Sequence, residues 1–139
     1  MSLTDRPNLA EMIDAARMHL ETAILPAVKG DAKLYFQTLI AVNLLRIAGR
    51  EAASGAEQAR AAWADLNAFA GVDTSLPADD SDGALEARIA ALCADVRAGR
   101  LDDRDDALFA LLMRLTRAQL AINNPKLLEA YDRDDALDP

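Results

Sequence analysis

The chain has 139 residues, a formal net charge of −8 and a pI near 4.5, with 52% hydrophobic but only 4% aromatic residues. That acidity argues against sequence-independent nucleic-acid binding and against an anionic membrane surface, because both select for clustered Lys and Arg. A single cysteine, Cys93, rules out an intramolecular disulfide and any multi-thiolate metal site, and fits a reducing compartment.

The length suits one domain, residues 1–139, large enough to bury a core without disulfides or a structural metal. About a fifth of the chain is alanine while β-branched and aromatic residues are scarce, which favours an all-α fold. Arg6-Pro7 and Glu11 interrupt any signal-peptide core, and no later apolar run is clean enough to span a bilayer. The expectation is a soluble, cytoplasmic protein without membrane contact.

After a lead-in over residues 1–6, Asn8 and Glu11 form a capping-box signature that starts a first helix. Its apolar face is Leu9, Met12, Ile13, Ala16, Leu20, Ala23 and Ile24, and Pro26 ends the pattern. A second helix, capped by Asp31 and closed by Ser54-Gly55, is apolar on nearly every side through residues 34–48 and belongs at the centre of the domain. A third helix, residues 56–70, is anchored by Trp63 and stopped by Gly71. Residues 72–81 read as an exposed loop, and Ser81 or Asp82 caps a fourth helix with the narrow stripe Leu85, Ile89, Leu92 and Val96, ending at Gly99. The run 102–106 supplies negative charge to the start of a fifth helix, whose core face is Leu108, Leu111, Leu112, Leu115 and Ile122. Asn124-Pro125 then opens a short closing helix. The predicted architecture is a mostly antiparallel bundle of five helices plus a short C-terminal helix.

Arg6-Pro7 ahead of the first helix, Asn43, Arg46 and Glu51 on the second, and the run Arg97 to Asp102 leading into a helix that ends at Asn124-Pro125 carry a family resemblance. The chain resembles a small bacterial family of helical domains of unknown function, over most of its length but not the third helix and its loop. Members are encoded beside aminoglycoside-phosphotransferase-like kinases and acyl-CoA dehydrogenases, so the resemblance implies an accessory role with a metabolic enzyme as partner. It implies no catalytic residues.

Chemistry-bearing motifs are few. His19, the only histidine, reads as a half-buried packing residue, and Cys93 as a small buried hydrophobe beside Ile89 and Val96. Neither a di-iron carboxylate pattern nor a zincin motif is present, and no metal or cofactor is expected. Asp80, Asp82 and Gly83 resemble the middle of an EF-hand loop, but Ala78 and Ile89 stand at the flanking ligand positions, so this is read as loop and cap. The remaining constellation is Asn43, Arg46 and Arg50, a polar stripe on an apolar helix. Two guanidiniums in line suit an acyl or phosphorylated anion; the alternative is a solvent face, or internal pairing with Glu51 or the acids of 102–106.

The functional expectation is therefore a non-enzymatic accessory or interaction module, with a small-molecule-binding protein as the alternative. Self-association is expected as well. Phe109, Met113, Thr116 and Leu120 make a second apolar stripe beside the core face of the fifth helix, and Phe109, Met113 and Leu120 are the predicted centre of a homodimer unless the closing helix or the third helix covers them.

Overall fold

A computed structural model describes residues 6–136; the lead-in before residue 6 lies outside the described residues. The elements are α1 (Leu9–His19), a π-helical turn (Leu20–Ile24), α2 (Leu25–Ala27), α3 (Ala32–Ala70), α4 (Ser81–Arg97), α5 (Asp105–Asn123) and α6 (Pro125–Asp135). The fold is all-α, with no strand among the described residues. Its contacts divide into two compact units, Met1–Ala56 and Glu57–Pro139, with the boundary inside α3.

In the first unit the capping box is complete: the Glu11 amide donates to Asn8 Oδ1 at 2.9 Å and the Asn8 amide to Glu11 Oε2 at 2.8 Å. Pro26 does not stop the helix where expected. The Leu25 amide reaches back five residues to the Leu20 carbonyl, and Pro26 then sits in the first turn of α2. Proline has no N–H to return to the preceding turn, and the wider π-turn carries the chain past that missing bond. Asp31 caps α3 as predicted, its Oδ1 accepting from the Leu34 amide at 2.9 Å.

The predicted break at Ser54-Gly55 is absent, so the second and third predicted helices are one, and the chain has five helical stretches among the described residues rather than six. Ser54 Oγ donates to the Arg50 carbonyl at 2.9 Å and spends its hydroxyl inside the helix. The left-handed backbone that ends a helix falls instead on Gly71 (φ 68°) and Gly99 (φ 72°).

In the second unit the Val72 amide closes the end of α3 on the Asn67 carbonyl at 3.0 Å. Asp80, not Ser81 or Asp82, caps α4, with its Oδ1 accepting from the Gly83 amide at 3.1 Å. Asp105 and Asp106 occupy the first turn of α5, and Asn124 caps α6 ahead of Pro125. α5 and α6 pack together, and Arg117 Nη2 meets Asp132 Oδ1 at 2.6 Å across them.

Leu111 is fully buried, and Leu66, Ile122 and, in the first unit, Val42 are nearly so. Leu112, assigned to the same core face as Leu111, is 44% exposed, and Ile89 and Val96 of the α4 stripe are exposed too. The helical wheel places these residues on one side correctly, but no neighbour covers that side fully. Leu111→Ala should lower the unfolding free energy by about 2–5 kcal/mol, against under about 1 kcal/mol for Leu112→Ala. Paired urea denaturation curves measure the difference, and equal losses would show that α5 buries a different face.

Candidate functional site: two arginine-lined depressions

The first depression, of about 330 Å³, lies in residues 1–56 between α1 and α3. Asp14, Arg17, Arg46, Gly49 and Arg50 line it; Asn43 does not. α1 and α3 come close at Gly49, where a Cβ would stand in ordinary contact, 3.6 Å, with Ile13 Cγ2. Glu21, carried by the π-turn, accepts from both Arg17 and Arg46, and Asp14 Oδ1 meets Arg17 Nη2 at 2.8 Å. The Asp14 hydrogen bond first, then the charges of Asp14 and Glu21, hold the Arg17 pKa above its ordinary value against the opposing effect of burial. Arg50 is also engaged within the chain. Of the predicted stripe, Arg46 is thus paired internally, with Glu21.

The second depression, also about 330 Å³, lies in residues 57–139. It borders a polar network around Thr74, in the segment read from sequence as an exposed loop, which it is. The Thr74 carbonyl accepts from Trp63 Nε1 at 2.6 Å and from Asn67 Nδ2 at 2.8 Å. Thr74 Oγ1 donates to Asn67 Oδ1 at 3.1 Å and accepts from Arg88 Nη2 at 3.1 Å, while Arg88 Nη1 donates to Asn67 Oδ1. The Arg88 guanidinium also lies 4.1 Å above the Trp63 ring. Arg104 repeats the arrangement, donating to the Phe69 carbonyl at 2.7 Å with its guanidinium 4.0 Å from the Phe69 ring centre.

Sequence reading found Trp63 but missed Asn67, Thr74, Arg88 and Arg104. The one available signal was Trp63 and Asn67 four apart on a helix that turns back at Gly71, which presents two side-chain donors to the returning chain. His19 and Cys93 are both exposed, contrary to the packing roles expected of them. Cys93 follows from the uncovered α4 stripe, since Ile89 and Val96 on either side of it are themselves exposed. On α5, Phe109 is 65% exposed, whereas Met113 and Leu120 are half-buried. Among the described residues, no group of His, Cys, Asp or Glu side chains is arranged to hold a metal ion, and no helix is long and apolar enough to cross a membrane.

Removing Asn67 strips partners from groups on α4 and the loop at once, so Asn67→Ala should destabilise by about 1–3 kcal/mol. Thr74→Val keeps the carbonyl and loses only the hydroxyl, and should cost about 1 kcal/mol. Chemical unfolding followed by Trp63 fluorescence gives both values, and a larger loss for Thr74→Val would move the centre of the network to the hydroxyl.

No curated protein and no solved structure shows significant similarity to the chain. Residues 26–127 match a family described as a domain of unknown function, DUF6285. The match begins at Pro26, runs through the whole of α3 and the Thr74 segment, and ends in α6. Since it covers most of the chain, the protein belongs to the DUF6285 family.

Proposed function

We propose that the protein is a non-enzymatic helical module that works by association, first of all with a second copy of itself. The observation that carries this reading is one face of α3. Phe36, Leu39, Ile40 and Leu44 are between 40% and 63% exposed on it, while Thr38 and Val42 are buried on the other side. At 100° per residue, Phe36, Ile40, Asn43 and Ile47 fall within a sector of about 60°, and their 4-3-4 spacing is that of a helix–helix seam. No charged residue stands between Lys33 and Arg46, so the net charge of −8 does not act within the seam.

Asn43 selects the occupant. A carboxamide has both a donor and an acceptor and so pairs with its own copy across a two-fold axis, and a lone Asn in an apolar seam sets register and oligomer state. Pairing of this kind also completes an antiparallel helical bundle. Phe109 and Leu112, both exposed on α5, make a second apolar stripe, with Met113 and Leu120 at its half-buried edge. That stripe suits a further contact, and the bacterial context implied by the family resemblance suggests a metabolic enzyme, a kinase or an acyl-CoA dehydrogenase, in the cytoplasm. A second reading places an acidic metabolite at Arg46 and Arg50; the depression they line favours it, though an anion there must compete with Glu21 for Arg46.

Sedimentation at micromolar concentration should give a dimer for the wild type and for Phe109→Glu, and a folded monomer for Ile40→Glu. A monomeric wild type, an Ile40→Glu variant that remains dimeric, or one that unfolds instead of dissociating sinks the seam. Dissociation by Phe109→Glu alone transfers the dimer to α5. For the second reading, thermal stabilisation by an acyl phosphate should disappear in Arg46→Ala and Arg50→Ala; equal shifts in wild type and variants dispose of it.

A further inference from the structure

The lining of the second depression combines two chemistries. Leu66, Phe69, Leu92 and Leu101 contribute apolar surface, and Arg88 and Arg104 contribute charge. Its volume of about 330 Å³ lies at the small end of the range for small-molecule sites. Elsewhere in the chain Arg6, Arg17, Arg46, Arg100, Arg114 and Arg117 meet carboxylates. Among the described residues Arg88 and Arg104 do not: their hydrogen bonds go to an amide oxygen, a hydroxyl and a backbone carbonyl, all uncharged. Asp95, the acid that lines the same depression, is held by Arg100 at 2.7 Å.

We infer that this depression binds a small amphipathic anion, a carboxylate or phosphate head on a short apolar tail, gripped by Arg88 and Arg104. A guanidinium has five N–H donors, of which Arg88 uses two and Arg104 one, so in-plane donors remain on both. Stacking on Trp63 and Phe69 occupies a face of each guanidinium and leaves its edge for the head group. Because Asn67, Thr74 and the Phe69 carbonyl already orient these side chains, little rotamer freedom is lost on binding. The acids of residues 102–106 oppose an anion only through screened charge; together with Arg104 they line a separate, exposed depression. The site rests on residues 57–139 alone and does not depend on the α3 seam.

Trp63 is the only tryptophan and lies against Arg88, so its fluorescence reports occupancy through that arginine. Titration of the full-length protein with hexanoate and with hexyl phosphate should each give a saturable change, and the tighter of the two identifies the head group. Hexanol, which lacks the charge, and acetate and inorganic phosphate, which lack the tail, should bind at least about tenfold more weakly. Arg104→Gln, and Arg88→Lys, which keeps the charge and loses the fork, should each weaken binding by a similar factor in calorimetry, with circular dichroism unchanged. No saturation at millimolar hexanoate and hexyl phosphate, equal binding of hexanol, or an Arg104→Gln variant as tight as wild type overturns the assignment.

Discussion

The placement of the Thr74 loop and α4 beside α3 depends on one amide, that of Asn67. α4 has no buried residue of its own, and Ile89 and Val96 stand exposed, so apolar burial does little to fix its position. Asn67, only 9% exposed, donates to the Thr74 carbonyl and accepts from both the Thr74 hydroxyl and Arg88. One side chain on α3 thereby holds the loop and α4 together. Only a carboxamide suits the position, because aspartate would have no donor for the carbonyl and leucine neither donor nor acceptor. Trp63, one turn earlier, satisfies the second lone pair of the same carbonyl.

The acceptors beside each arginine decide whether its charge is matched. In residues 1–56, Arg17 and Arg46 converge on Glu21, and Arg17 also meets Asp14, so the local positive charge is matched within the chain. Pairs that keep contact with solvent in this way contribute little stability, roughly 0–1 kcal/mol each, but they occupy the donors that an anion would use. In residues 57–139, Arg88 and Arg104 are oriented by neutral acceptors and aromatic faces, which position the side chain without cancelling its charge. Two depressions of the same volume thus differ in electrostatic character because of which acceptors lie beside them.

The helix ends were legible because they rest on bonds spanning three to five residues: Asn8 with Glu11, Asp31 with Leu34, the turns at Gly71 and Gly99, and Asn124 with Leu127. The sequence was misleading where a local breaker met a local remedy. Ser54 turned its hydroxyl inward to the Arg50 carbonyl, and a π-turn accommodated Pro26. Burial was the least legible property. A wheel assigns Leu112, Ile89, Cys93 and His19 to faces, but whether a face is covered depends on neighbours that periodicity does not specify. The Thr74 network was missed for a related reason: its bonds join residues 7 to 21 apart, and a polar cluster after Gly71 looks like solvent-facing loop until its partners are known.

Asn43 shows how a single polar residue restricts an apolar surface. It stands exposed among Phe36, Ile40 and Leu44, where its amide is open to solvent. Any partner that seals this face removes that solvent, and one offering only hydrocarbon leaves the amide unpaired at about 1–3 kcal/mol. Leucine at this position would strengthen the seam toward every apolar surface equally. The asparagine weakens it toward all of them except one that presents a donor and an acceptor at the same height along the helix, and a second copy of α3 in two-fold register does so without further specialisation. In the proposed dimer, the residue that stands out as a defect in an apolar stripe would let an exposed hydrophobic face associate selectively.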